Sequence, residues 1–195
     1  MDNNRRTKIS KSLSYHLRHG LHNLPFPIES DGFVKISDLL TLKEFNGVTV
    51  EEIKLEVELN EKKRFSLDLS GEKIRANQGH STEAGKLIDS TKLLTKITDP
   101  LDYCVHGTTK QALAKILQTG LNKMNRTHIH FASKRGAISG FRKSSEVLIY
   151  LDMKKAMNDG LEFFMSDNNV ILCVGPIDKK YFLKPGSKTF WACVV

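Results

Sequence analysis

Arg64-Phe65-Ser66-Leu67-Asp68-Leu69-Ser70-Gly71-Glu72-Lys73-Ile74-Arg75-Ala76 decides how the first half of this chain is read. Phe65, Leu67 and Leu69 alternate with polar residues, as side chains do when a strand buries one of its two faces. Ser70-Gly71-Glu72 has turn composition, and Ile74 and Ala76 repeat the two-residue period on the return. Residues 64–76 therefore read as a β-hairpin.

Toward the N-terminus the period changes from two to about four. Ile9, Leu13 and Leu17 predict a helix over residues 7–19, with Gly20 as a left-handed cap that makes Arg18 and His19 its last turn. Gly32-Phe33-Val34-Lys35-Ile36 looks extended, and Ser37 is placed to cap a short helix through Asp38-Leu39-Leu40. Thr49-Val50-Glu51-Glu52 has the spacing of a capping box, with Val50, Ile53 and Val57 on one face of the helix it opens. Three helices and then a hairpin is the order of a winged helix-turn-helix, a module that often sits on nucleic acid. Order alone does not establish function.

Toward the C-terminus the pattern weakens between Leu87 and Pro100, which sets an expected boundary between a lobe of residues 1–98 and one of residues 99–195. The second lobe mixes strand and helix. Strands are expected at residues 103–106, 127–132, 147–152, 161–165 and 170–174. A helix over residues 111–118 should turn Leu113, Ile116 and Leu117 inward and end at Gly120, and a helical turn is expected over residues 154–157. Asp167-Asn168-Asn169 marks the turn before the last strand.

The chain has 195 residues, 39% of them hydrophobic and 27% charged, which is the composition of a globular protein with room for two small lobes. Its longest uncharged apolar stretch, residues 170–177, falls far short of the roughly 20 residues that cross a bilayer. Met1-Asp2-Asn3-Asn4-Arg5-Arg6 leads into no apolar signal core, so an intracellular location, cytoplasm or nucleus, is expected. Cys104, Cys173 and Cys193 are odd in number and far apart, which favours free thiols over a disulfide framework or a metal knuckle. The net charge of +8 makes a polyanionic partner plausible. Arg5, Arg6, Lys8, Lys11 and Arg18 face only Asp2 among the first twenty residues.

Four segments offer chemistry beyond packing: Leu17-Arg18-His19, Ile74 to Ser81, His106-Gly107-Thr108 and Met124 to Phe131. Each has a plain alternative. Arg18-His19 at a helix end complements the helix dipole, while Arg75 and Arg126 read equally as solvated charges. His128 and His130 share a strand face by period two, but no carboxylate stands near them in sequence to complete a metal site, and no metal is expected. Lys134-Arg135-Gly136 and Arg142-Lys143-Ser144 read as a solvated loop.

Together these segments resemble the RNA 2′-phosphotransferase (KptA-type) family, over about Lys8 to Pro176. The resemblance is carried by Ser12 to His19, Asp31-Gly32-Phe33-Val34, Arg64-Phe65-Ser66-Leu67, Ile74 to Ser81, His106-Gly107-Thr108 and Arg126 to His130, in the family's order. It implies an α+β protein, with an N-terminal winged-helix RNA lobe and a C-terminal ADP-ribosyltransferase-like lobe that binds NAD in a split β-sheet. It implies a catalytic set of Arg18, His19, Arg75 and Arg126, and cofactor contacts from His106, Gly107, Thr108, His130, Ser133 and Val170. The implied reaction removes an internal 2′-phosphate from RNA through an RNA-2′-phospho-ADP-ribose intermediate, giving 2′-hydroxyl RNA, ADP-ribose 1″,2″-cyclic phosphate and nicotinamide. The implied partner is 2′-phosphorylated RNA, with tRNA expected, acted on by a monomer. Two departures stand out. Asn169 occupies a position where many relatives have Gly, and Gly20-Leu21 replaces the commoner Pro-containing continuation. Two other readings stay open: capping of nucleic-acid 5′-phosphates with ADP-ribose, and a winged-helix nucleic-acid-binding protein without catalysis.

Overall fold

Asp2 starts the first helix by accepting the Arg5 N–H at 2.8 Å, one of the donors that a helix N-terminus leaves without an internal acceptor. The computed structural model describes residues 1–137, 139–140 and 144–183. Helix α1 spans Asn3–Arg18, four residues longer at its start than the apolar period predicts. His19, not Gly20, is its C-cap. Gly20 is not left-handed, with φ −97°, and its missing side chain serves another purpose: a Cβ there would lie 2.9 Å from the Tyr15 ring.

The chain divides into two units, Met1–Leu93 and Leu94–Val195. In the first, β1 (Val34–Lys35) leads into α2 (Ile36–Leu39). Lys35 precedes α2 without a side-chain cap, so Ser37 lies inside the helix instead of capping it. Thr49 and Glu52 form the capping box of α3 (Val50–Leu59), Thr49 Oγ1 accepting from Glu52 N–H at 3.2 Å and Glu52 Oε2 accepting from Thr49 N–H at 3.1 Å. The hairpin is β2 (Phe65–Leu67) with β3 (Lys73–Ala76), Ser66 standing opposite Arg75. Asp68 closes its turn by accepting the N–H groups of Glu72 and Lys73, each at 3.0 Å. Leu69 leaves the strand there and is fully exposed, because the ladder ends one residue pair earlier than its alternation suggests. Strand β1 pairs with the other edge of β3, giving the order β1-β3-β2. Ile9, Leu13, Leu17, Ile36, Ile53, Phe65 and Ile74 meet in one core, and the short helices α4 (Thr82–Gly85) and α5 (Ser90–Leu93) close the unit.

The second unit opens on β4 (Leu94–Lys96), which pairs with β8 (Phe164–Ser166) in a stretch whose sequence shows no period. The division at Leu93 therefore falls five residues before the expected boundary at residue 98. Strand β5 (Val105–Thr108), α6 (Lys110–Thr119), β6 (Ile129–Ala132), β7 (Val147–Tyr150), α7 (Met153–Asn158) and β9 (Val170–Cys173) complete it. All strand pairs are antiparallel, in the order β4-β8-β9-β6-β5-β7. Ile129, Phe131, Phe163, Ile171 and Cys173 form the core on one side, where Leu113 and Ile116 of α6 pack. Leu117, expected inward, is instead exposed. Arg142, Lys143 and Cys193 lie outside the described residues.

Gly120 ends α6 at φ 76° and ψ −174°, a conformation open almost only to glycine. Its own Cβ would stand 2.3 Å from the Ile177 carbonyl oxygen, which accepts the Leu121 N–H. Gly120→Ala is expected to cost at least about 1–3 kcal/mol from the backbone conformation alone, read as a lower urea midpoint of the full chain. An unchanged midpoint would refute this account of the α6 exit.

Candidate active site

In the first unit the site is built where β3 runs out beside the end of α1. Alternation along β3 buries Ile74 and Ala76 and turns Arg75 to the opposite face. There its guanidinium carbon lies 4.7 Å from the centre of the Phe33 ring, and Nη1 is 3.4 Å from the Asp31 carbonyl and 3.7 Å from its carboxylate. A cation over an aromatic face, held at its edge by a carboxylate, has its plane fixed before any ligand arrives.

Residues 77–81 then fold back onto α1. Asn77 is buried; its Nδ2 donates to the Lys63 carbonyl at 2.8 Å and its backbone N–H to the Arg64 carbonyl at 2.9 Å. Gly79 takes φ +89°, and a Cβ there would lie 3.5 Å from Arg18 Nη1. The Ser81 N–H donates to the Arg18 carbonyl at 2.8 Å, and Ser81 Oγ caps α4. The Arg18 guanidinium lies 5.9 Å from the Phe65 ring centre. His80, within this loop, is buried, whereas His19 is exposed. Arg18, His19 and Arg75 thus come from one helix end and the strand whose following loop wraps it.

In the second unit β5 and β6 share one register pair among the described residues, Val105 with Ala132. Beyond it the strands part. His106 crosses the gap, its Nδ1 2.9 Å from the His130 carbonyl and its ring edge-on to Phe131 at 5.8 Å. His130 alternates with Phe131, so its own ring turns to the other face of the sheet, while its carbonyl faces the His106 ring. Gly107 and Thr108 follow along the same strand, paired to Leu148 and Val147 of β7. Val170 pairs with Ala132, and Ser133 Oγ donates to the Asn169 carbonyl at 2.6 Å. Asn169 has φ 59°, the left-handed conformation that asparagine tolerates.

Arg126 belongs to this second unit, in the turn that enters β6, with its N–H on the Lys123 carbonyl at 3.2 Å. Burial pushes the His106 pKa down, the His130 carbonyl opposes that, and the charge of Arg126 adds to the lowering. His128 lies before β6, not within it; its Nδ1 is 2.9 Å from Thr127 Oγ1, and burial chiefly, with Lys123, lowers its pKa too. Among the described residues no group of three His, Cys, Asp or Glu side chains is placed to hold a metal ion. Burial raises the pKa of the Cys104 and Cys173 thiols, which disfavours thiolate chemistry at either. No helix among them is long and apolar enough to cross a membrane.

Sequence reasoning singled out the loop through Ser81 without assigning work to Asn77 or Gly79, and it missed the Phe33 and Asp31 support of Arg75. The detectable signal was the glycine in the loop leading to Ser81, since glycine is used where the chain takes positive φ or the backbone must approach another group closely.

The profile of the RNA 2′-phosphotransferase, Tpt1 / KptA family matches residues 4–175. The chain belongs to this family. It is 42% identical over 193 residues to tRNA 2′-phosphotransferase 1 of Mus musculus, covering 93% of this chain and 77% of that protein. It is 40% identical to the Homo sapiens protein of the same name, covering 93% and 76%, and 36% identical to a probable RNA 2′-phosphotransferase of Pseudomonas syringae, covering 88% and 91%. As a Tpt1 / KptA family member the chain is an enzyme, a transferase with RNA 2′-phosphotransferase activity.

The lowered His106 pKa has a definite sign. Free histidine titrates near ~6.5, so between that value and the folded one the unfolded chain binds more protons, and stability falls as pH drops through this window. His106 is expected to titrate below ~6.5 in proton NMR, and Arg126→Ala to move its midpoint upward while making the acid-side loss of stability shallower. A midpoint indifferent to Arg126 would separate the two residues.

Proposed function

We propose that this enzyme transfers an internal 2′-phosphate of RNA to NAD, releasing 2′-hydroxyl RNA, and that tRNA is its substrate. The tRNA assignment is supported by the names of the mouse and human relatives. The first unit, in which α1, α2 and α3 precede the hairpin of a three-stranded sheet and α4 and α5 follow it, is the proposed winged-helix RNA lobe, and the second is the proposed ADP-ribosyltransferase-like lobe with its sheet split between β5 and β6.

Two features of the second unit fit NAD. The parting of β5 from β6 leaves His106-Gly107-Thr108 along an opening in the sheet. Gly140 lets its loop lie on the end of β6, where a Cβ would come within 2.6 Å of the Ala132 nitrogen. His106, Gly107, Thr108, His130, Ser133 and Val170 are the residues proposed to hold the dinucleotide. When bound, NAD supplies the acceptor, its ADP-ribose taking the phosphate as nicotinamide is lost.

The observation that supports this function is the loop after β3 closing on the last turn of α1, the Ser81 N–H on the Arg18 carbonyl and Gly79 against the Arg18 guanidinium; Arg18, His19 and Arg75 are the residues proposed to receive the dianion there. Arg75 grips phosphate oxygens with a fork already oriented by Phe33 and Asp31, so little reorganisation accompanies binding. Arg18 adds a second fork beside Gly79. His19, exposed at the helix end, donates a hydrogen bond to the phosphate or moves a proton, since an imidazole can do either. Arg126 is the third proposed arginine, and the set as a whole stabilises charge building on phosphorus.

The test follows 2′-phosphorylated RNA, 2′-hydroxyl RNA and nicotinamide with time in the presence of NAD. Arg75→Ala is expected to slow formation of 2′-hydroxyl RNA by about a hundredfold, the effect of losing ~3 kcal/mol from one preorganised donor, while nicotinamide release continues. Arg75→Lys is expected to rescue poorly, because a point charge lacks the two-pronged grip. Conversion by folded Arg75→Ala at the parent rate would remove Arg75 from the catalytic set.

A further inference from the structure

Helix α1 carries a second ordered face. Its buried residues Ile9, Leu13, His16 and Leu17 define one side. At ~100° per residue, Lys8, Lys11, Tyr15 and Arg18 recur three, four and three positions apart and fall within about 80° of arc on the opposite side. Lys8, Lys11 and Tyr15 are exposed, as is His19 at the end of the stripe. Arg5 and Arg6 on the same helix are engaged elsewhere, by Glu52 and Glu56.

Tyr15 stands out within the stripe. It is 55% exposed, yet its Cε1 lies 2.9 Å from where a Gly20 Cβ would be, and its ring is edge-on to His16 at 5.1 Å. The ring is therefore seated on the helix exit next to His19 while more than half of the residue meets solvent. Single exposed aromatics are common and need no function. One seated against Gly20 and in line with two lysines, beside the residues proposed to receive a phosphate, has the composition of a single-strand nucleic-acid track: cationic groups for the backbone and a π-face for a base.

We infer that this stripe carries the RNA strand flanking the 2′-phosphate, with a nucleobase stacked on Tyr15 and backbone phosphates on Lys11 and Lys8. The inference rests on 2′-phosphorylated RNA being the substrate. Lys8 and Arg18 are separated by ~15 Å along the helix axis at ~1.5 Å per residue, so the track extends beyond the reacting nucleotide. A dinucleotide substrate leaves most of it empty, and a longer RNA fills it.

The experiment compares a 2′-phosphorylated dinucleotide with a longer 2′-phosphorylated single-stranded RNA, using the full chain. Tyr15→Ala is expected to raise KM for the longer RNA by about fivefold to a hundredfold, the range for losing one stacking platform. Its kcat at saturation and its KM for the dinucleotide should stay at parent values. Tyr15→Phe keeps the ring and is expected to keep the parent KM. In Lys8→Ala/Lys11→Ala the slope of log affinity for the longer RNA against log salt should become shallower by about 0.7 for each RNA phosphate that is no longer neutralised. An unchanged KM and salt slope on the longer RNA would overturn the track. Equal losses on both substrates would overturn it too, because they would place Tyr15 and the lysines at the reacting group or in general stability. A parent enzyme inactive on both RNAs would defeat the functional reading itself, and this inference with it.

Discussion

A helix must dispose of the carbonyls in its last turn, and α1 gives one of them to the loop that follows β3. The Arg18 carbonyl accepts the Ser81 N–H at 2.8 Å, while the His19 N–H returns to Tyr15 at 2.8 Å. This closure makes a helix end and a strand end, about sixty residues apart in sequence, into one piece of surface. Glycine at position 79 is required by the same closure, since the loop passes the Arg18 guanidinium with φ +89°. Asn77 holds the loop's other end to the Lys63 carbonyl from a buried position. The geometry of Arg18, His19 and Arg75 is thus set by backbone and amide hydrogen bonds, leaving the guanidinium forks to be aimed by the aromatic rings beneath them.

The second unit is organised by an interruption. An antiparallel sheet gains by pairing every strand edge, and β5 meets β6 at a single register pair among the described residues. The pairing is stopped on one side by the His106 imidazole, which takes the His130 carbonyl at 2.9 Å in place of a ladder partner. On the far side of β6 the ladder with β9 is complete from Ile129 to Ala132 and is locked at its end. Ser166 Oγ accepts the Val170 N–H at 3.1 Å and donates to Asn168 at 2.8 Å, and Ser133 reaches the Asn169 carbonyl. A rigid half-sheet next to an opened edge is what a ligand site needs, because the edge offers polar groups that the rest of the sheet has already consumed.

Local patterns were legible wherever a short-range rule acts alone. The Thr49–Glu52 capping box is present with both hydrogen bonds, and the hairpin within residues 64–76 forms as its alternation implies through Leu67, short only of Leu69. Asn169 adopts the left-handed turn expected of an asparagine standing in for glycine. What failed depended on partners distant in the chain. Leu94-Thr95-Lys96 has no strand period, and becomes a strand because β8 offers a free edge some seventy residues later. Gly20 looked like a left-handed cap, but its role is to leave room for Tyr15. The residues singled out for chemistry were visible as motifs, and Asp31-Gly32-Phe33-Val34 stood out as a stretch of the resemblance, but that Phe33 and Asp31 orient Arg75 depends on a contact across some forty residues that no local pattern reports.

The positive charge of the first twenty residues is divided by burial. Arg6 pairs with Glu56, a carboxylate that is itself buried and also accepts Asn60 Nδ2 at 2.6 Å. A buried carboxylate left alone would be costly, so this arginine is committed to the fold. Arg64 is drawn into the same cluster through Asn60 Oδ1 at 3.3 Å, and burial lowers its pKa while Glu56 opposes the shift. Arg5 is bound to Glu52, whose pKa its hydrogen bond and that of Thr49 hold at about 2. The carboxylates of α3 therefore neutralise the arginines on the near side of α1, and Lys8 and Lys11 on its outer side are exposed. A basic composition alone could not distinguish these two populations; the helical phase does, because residues 5 and 6 reach α3 while residues 8 and 11 turn away from the core.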